Sequence, residues 1–506
     1  MDDAQREPGV EHAPRTEPGP RAERMSRVDT AWLRMDNDVN LMMIVGIWLL
    51  TPALALQALR TRIAHKLLQY DRFRQKAVVD AMGAHWLPDE DFDIGHHVVP
   101  AALGAQPGES ERQALQRLCG ELAAQPLDHA RPLWQFHLVE HYDGGSAMIA
   151  RVHHCIGDGI ALTSVMLSIA DGGADPPRRR RKTRPDEPPA EDHDWLSDAV
   201  LKPLTELTVK AIGLTGQGVG KSMEMLSHPR AHPNHPLMGS LETALTGART
   251  GLKVLNDVAA LALMPDDSPT LLKGKPCGRK LVAWSEPVSL EHVKTVGKGL
   301  SCTVNDVLLS CAAGAIGQYL MGRGQDPAGK EIRAMVPVNL RPVEEAWKLG
   351  NRFGLAPLVL PIGIANPVER VYAVRQRMEE LKGSYQPLLA FAVLSVSGLF
   401  IKPIQDMVLG LFAKKTTAVM TNVPGPGRLL TLCGSTLRQN MFWVPASGDV
   451  GVGVSILSYG GGVQFGLITD QQLCPDPQAI IDRFEPEFER LLWLTLMLPW
   501  PGQDID

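Results

Sequence analysis

Two core-bearing domains of mixed α/β structure are what this sequence predicts, and three observations carry the expectation. The chain is 506 residues long, beyond the size at which one hydrophobic core stops growing. Segments with apolar residues at helical spacing alternate with short strand-like runs along most of it. A Pro- and Arg-rich stretch after residue 172 interrupts that alternation and divides the chain in two.

The residues Met1 to Arg24 mix Glu, Arg, Pro and Gly with no apolar stretch, which argues against a secretory signal there and predicts a disordered tail over 1–24. The first domain is expected over 25–172. Its apolar run Val45 to Leu50 reads as a strand, Ala53 to Gln69 carries Leu56, Leu59, Ile63 and Leu67 at helical spacing, and Glu111 to Leu122 repeats that spacing. Over 173–194 come paired prolines, the block Arg178-Arg179-Arg180-Arg181-Lys182, and then acids. A basic block can bind anionic lipid, but Asp186, Glu187, Glu191 and Asp192 balance it, so the segment reads as a solvated linker. Residues 195–278 read as a mostly helical connector. The second domain is expected over 279–506, with strands at Arg333 to Val338, Val450 to Leu457 and Val463 to Thr469 beside the turn glycines Gly460, Gly461 and Gly462.

Hydrophobic residues at 44 % and charged residues at 21 % are ordinary for a globular protein. A net charge of -5 lacks the broad attraction that nucleic acid requires of its partners. The seven cysteines are scattered and never form a Cys-x-x-Cys pair, so they read as buried thiols in a reducing compartment. Two stretches are greasy, Leu41 to Leu56 and Leu388 to Phe412, the second broken by Lys402. Their uninterrupted cores fall short of the roughly 18 to 20 apolar residues that cross a bilayer. A cytoplasmic, non-spanning protein is expected, with buried core as the first use of both stretches and lipid contact as the second.

Chemistry concentrates in His153-His154-Cys155-Ile156-Gly157-Asp158-Gly159. Ala147 to Val152 before it reads as a buried strand, and Ile160, Leu162, Val165, Met166 and Ile169 after it carry helical spacing. A strand-to-helix junction holds an imidazole rigidly while one ring nitrogen faces a cleft, and Gly157 and Gly159 permit the tight backbone. Histidine suits general-base work because its ordinary pKa lies near neutrality. His154 is read as the base, His153 as its support, and Asp158 and Gly159 as loop geometry, with Arg72 or Arg74 as the expected partner of Asp158. Adjacent histidines on an extended segment point to opposite faces, and no other ligand falls at zinc spacing. No metal is expected.

The motif His153-His154-x-x-x-Asp158-Gly159 resembles the signature of acyltransferases related to chloramphenicol acetyltransferase and to peptide-synthetase condensation domains. Within that group the sequence is most similar to the bacterial bifunctional wax ester synthase/diacylglycerol acyltransferases. Thr303-Val304-Asn305-Asp306-Val307-Leu308 resembles the family's Asn-Asp motif. Val336-Pro337-Val338-Asn339-Leu340-Arg341, Gly350-Asn351-Arg352-Phe353, Thr421-Asn422-Val423-Pro424-Gly425-Pro426 and Tyr459-Gly460-Gly461 match in kind and order. Ser26-Arg27-Val28-Asp29 meets the family's opening segment only in part.

The resemblance implies an α/β fold of two chloramphenicol-acetyltransferase-like lobes with the active-site tunnel between them. It implies fatty acyl-CoA and a long-chain alcohol or diacylglycerol as substrates and no cofactor. A peripheral position on a membrane or lipid droplet would suit such substrates, and the oligomeric state stays open. Thr303, Asn305, Asp306 and Arg352 are the candidate substrate-binding residues. Asn305-Asp306 could equally cap the helix that follows, Arg352 could be a surface residue, and Asn422 to Pro426 reads as a rigid turn. A condensation-type or small-alcohol acyltransferase, and a non-catalytic lipid-binding protein, remain as alternatives.

Overall fold

The computed structural model describes residues 22–80, 83–173, 264–340, 348–382, 390 and 414–498. Most of the linker and connector expected over 173–278, and the greasy stretch after Leu388 apart from Ala390, lie outside the described residues. Two large sheets dominate the rest.

The first lobe is built on a six-stranded sheet in the order Thr431–Leu432, Ser435–Trp443, Met43–Thr51, Gly145–His153, Trp134–Tyr142, Val98–Pro100. Every neighbour is antiparallel except the final pair. All of Gly145–His153 is buried, as a strand covered on both faces requires. Alternation assigns its side chains to two cores. Ala147 and Ile149 meet Val45, Ile47 and Leu115 on one face, while Met148, Ala150 and Val152 meet Trp48, Leu59 and Ile63 on the other. The helix Glu111–Ala123 closes the first of these cores and opens with a Ser110/Gln113 capping box. The greasy run Leu41 to Leu56 thus becomes Met43–Thr51, in the sheet interior.

The second lobe carries a seven-stranded sheet, Phe353–Leu360, Ile332–Asn339, Ala418–Pro424, Val452–Tyr459, Gly462–Asp470 and Lys280–Trp284 in order, with Val288–Ser289 beside Gly462–Asp470. The helices Val304–Gly322, Pro367–Lys382 and Pro477–Leu496 form a layer whose apolar residues share one core with this sheet. Within the layer Glu487 is buried between Arg370 and the Gln318 amide, both of which donate to it, and Arg370 also donates to the carbonyls of Ser310 and Ile364.

Three expectations are corrected. Glu23 and Arg24, assigned to a tail, pair with Trp86 and His85 in a small third sheet. Residues 264–278, assigned to a helical connector, are irregular, and Asp267 there accepts the Arg333 N–H at 2.9 Å and the Thr417 hydroxyl. Asn422 to Pro424 is strand, not turn, and runs parallel to Ile456–Ser458. Its backbone groups gain ladder partners there that a turn would leave to water.

A hairpin crosses between lobes, with Thr431–Leu432 at its outer edge. Ser435–Trp443 belongs by sequence to the second half, yet pairs with Met43–Thr51 of the first. Tyr459 pins its start, accepting the Leu430 N–H at 2.7 Å and donating to the Leu437 carbonyl at 2.9 Å.

Candidate active site

The histidine loop leaves the sheet at His153 and enters the helix Gly159–Ile169. His154 N–H donates to the Met42 carbonyl at 2.7 Å, and Ile156 N–H closes a turn on the His153 carbonyl at 3.0 Å. Asp158 is the helix N-cap: Oδ1 accepts Ala161 N–H at 2.9 Å and Oδ2 accepts the backbone N–H of Arg352 at 3.0 Å. The expected arginine partners lie elsewhere, Arg72 on Glu23 and Arg74 on Asp71. Asp158 meets an arginine after all, through its main chain.

His153 and His154 face different surroundings. Nδ1 of His153 accepts Cys155 N–H at 3.1 Å, and its Nε2 lies 3.2 Å from Asp36 Oδ2. Accepting at Nδ1 places the proton on Nε2, toward the carboxylate, so this ring has no free lone pair with which to act as a base. The His154 ring packs against two aromatics that also touch each other, stacked on Trp32 with centroids 4.1 Å apart and tilted against Phe353 at 5.5 Å. Burial pushes its pKa down to about 4, which keeps the imidazole neutral at physiological pH. Nδ1 has no partner of hydrogen-bond geometry among the described residues. A neutral imidazole keeps one ring nitrogen with a lone pair for proton transfer.

The second lobe supplies the other side of the loop. Gly350, at φ 101°, forms a parallel bridge with Gly157, donating to the Ile156 carbonyl at 3.0 Å. Asn351 follows, and its side-chain Nδ2 donates both to the His154 carbonyl and to Asp29 Oδ1, each at 2.7 Å. Asn351 N–H donates to the same Asp29 oxygen at 3.0 Å. Asp29 is wholly buried, and burial raises its pKa to about 6 against the pull of the Asn351 hydrogen bonds.

His154 opens onto a cavity of roughly 1490 Å³, mouth included, walled by both lobes. Trp32, Met35 and Phe442 line it from one side, and Met335, Leu355, Val419 and Val423 from the other, with Asn339, Thr421, Asn422 and Ser447 as polar stations. Asp158 and Gly159 reach its wall beside His154. Thr303, Asn305, Asp306 and Arg352 do not. Thr303 and Asp306 form a capping box on Val304–Gly322. Asn305 stands behind the wall, its Oδ1 accepting a 2.7 Å hydrogen bond from the lining residue Asn422. Arg352 is an exposed residue, and its backbone N–H enters the loop network. The reading of the sequence missed Trp32, Asp29 and Asn351 as parts of the site. Asp29 and Asn351 lay inside segments already singled out, but nothing in one dimension joins them. Among the described residues no cluster of His, Cys, Asp and Glu could hold a metal ion.

A neutral, buried imidazole at the wall of an apolar cavity between two such lobes is the kind of site an acyltransferase presents. The chain belongs to the wax ester synthase/diacylglycerol acyltransferase family: the family's catalytic domain matches residues 25–308 and its C-terminal domain residues 349–492. A Mycobacterium tuberculosis protein named as a probable diacylglycerol O-acyltransferase is 26 % identical over 452 residues, 88 % of this chain and 89 % of its own length. A Mycobacterium bovis protein of the same naming is 29 % identical over 423 residues, 81 % of this chain and 77 % of its own. Among solved structures, the wax ester synthase/diacylglycerol acyltransferase of Marinobacter aquaeolei superposes with a TM-score of 0.59 at 20 % identity, covering 94 % of this chain and all of that one. The first condensation domain of the calcium-dependent antibiotic synthetase has the same fold, with a TM-score of 0.52 at 15 % identity over 94 % of this chain and 96 % of its own.

Proposed function

We propose that this acyltransferase moves a fatty acyl group from acyl-CoA to the hydroxyl of a long-chain alcohol or of diacylglycerol. The supporting observation is the position of neutral His154 at the wall of an apolar cavity lined by both lobes. In the reaction, Nε2 of His154 takes the hydroxyl proton as the oxygen attacks the thioester carbonyl carbon. The C–S bond of the tetrahedral intermediate then breaks, and the imidazolium returns the proton to the departing CoA thiolate. No group remains on the protein, and the reaction so written needs neither metal nor cofactor. Burial keeps the base unprotonated and excludes the water that would hydrolyse the thioester.

Such acceptors reside in a lipid phase, and we place the protein at the surface of a membrane or droplet on that ground. No single described helix is long and apolar enough to cross a membrane. The assay that tests the function supplies acyl-CoA with a long-chain alcohol, with diacylglycerol, and with a short alcohol, and identifies the products by mass spectrometry. Wax ester or triacylglycerol formed by the parent and lost in His154→Ala supports it. Exclusive use of the short alcohol overturns the choice of acceptor.

A further inference from the structure

The histidine loop belongs to the first lobe, but the atoms that hold the His154 main chain come from two. Its N–H is fixed within the first lobe by the Met42 carbonyl, while its carbonyl is held by Asn351 Nδ2 of the second lobe at 2.7 Å. Asn351 could not aim that amide without Asp29, whose Oδ1 accepts both its backbone N–H and the other Nδ2 hydrogen. The residues concerned are all buried, where a lost hydrogen bond is not replaced by water. Asp29 also sits one helical turn before Trp32, the residue stacked on the His154 ring. One carboxylate therefore governs both the carbonyl of His154 and the helix that covers its ring.

We propose that Asp29 and Asn351 are positioning residues for acyl transfer, a cross-lobe relay that fixes the His154 main chain and thereby the aim of its ring. The proposal rests on His154 being the base. With its N–H on the Met42 carbonyl and its carbonyl on Asn351, the main chain that carries the ring is held from both lobes. Released from Asn351, the carbonyl rotates with the loop and the ring loses its aim. A base turned even ~1 Å from its line of attack loses rate by about 100-fold.

The test exchanges the pair. Asn351→Asp removes the amide donors and faces Asp29 with a second carboxylate. Asp29→Asn with Asn351→Asp restores an amide–carboxylate pair between the lobes but leaves the His154 carbonyl without its side-chain donor. Initial rates and melting temperatures are measured on the full chain with an acyl-CoA donor, and His154→Ala is run beside them. The expected result is kcat down by at least about tenfold in Asn351→Asp with KM for the donor within about threefold, the signature of a transition-state effect. The exchanged pair is expected to regain the melting temperature and not kcat. Parental kcat in Asn351→Asp, or recovery of kcat together with stability in the exchanged pair, overturns the proposal and reduces the contact to a lobe clamp. If His154→Ala itself keeps parental turnover, the base assignment has failed instead, so the two failures are told apart.

Discussion

His154 and Asp29 are both buried, and burial drives their pKa values in opposite directions, to about 4 for the imidazole and about 6 for the carboxyl. Below the ordinary histidine value of 6.5 the unfolded chain takes up a proton that native His154 refuses until about 4, so this residue makes stability fall as pH drops through that window. Asp29 acts with the opposite sign. Native Asp29 holds its proton up to about 6 while the unfolded carboxyl releases it near 3.8, so stability falls as pH rises through that interval. Between about 4 and 6 the two slopes cancel. Replacing Asp29 by Asn removes one of them. The stability of Asp29→Asn relative to the parent should rise across that interval by on the order of 3 kcal/mol. Urea melts at several pH values check this, and parallel curves for the two proteins would show that Asp29 is not titrating as described. At neutral pH neither effect changes the base, which stays neutral.

The elements show where a linear reading succeeds and where it stops. Gly145–His153 and the helix after it were legible because each is written locally, an apolar run and then a helical period around Asp158. The family resemblance also reached the second lobe's motifs. What stayed hidden depends on partners distant in sequence. Asn351 and Asp29 are 322 positions apart, and no periodicity records that their amide and carboxylate will meet. Asn422 to Pro426 carries turn residues, yet parallel neighbours on the sheet override that local preference through Pro424. Ser435–Trp443 has ordinary strand alternation, and its sheet is decided by the edge that Met43–Thr51 leaves open. The helical layer of the second lobe depends on such a distant partner too. Glu487 is buried against Arg370 and Gln318 of two other helices. Glu487→Ala leaves the Arg370 charge unpaired and should cost about 3–5 kcal/mol, whereas Glu487→Leu with Arg370→Met should cost far less. Chemical denaturation distinguishes these, and equal losses in both variants would contradict a charge-pairing account.

At the scale of the whole molecule, the two lobes share an active site that neither contains alone. The first supplies His154, Trp32 and the N-capped loop, and the second supplies Gly350, Asn351 and most of the apolar far wall. The crossing strand adds Phe442 to the cavity from a sheet that its own half of the chain does not own. If the cavity receives the lipid chains, its bore sets which of them fit. Val419→Trp, on the wall away from the catalytic loop, should shift the esters formed from a mixed acyl-CoA pool toward shorter chains, by about 10-fold or more in the ratio of short to long. An unchanged product profile would mean that the chains travel by another route. The claim on which all of this depends concerns one nitrogen atom. It is tested most directly by the initial rate of ester formation from acyl-CoA in His154→Ala, at saturating substrates and with folding verified by its melting curve. A fall of about 10²–10⁴-fold with little change in KM is predicted, and a rate within about threefold of the parent would contradict it.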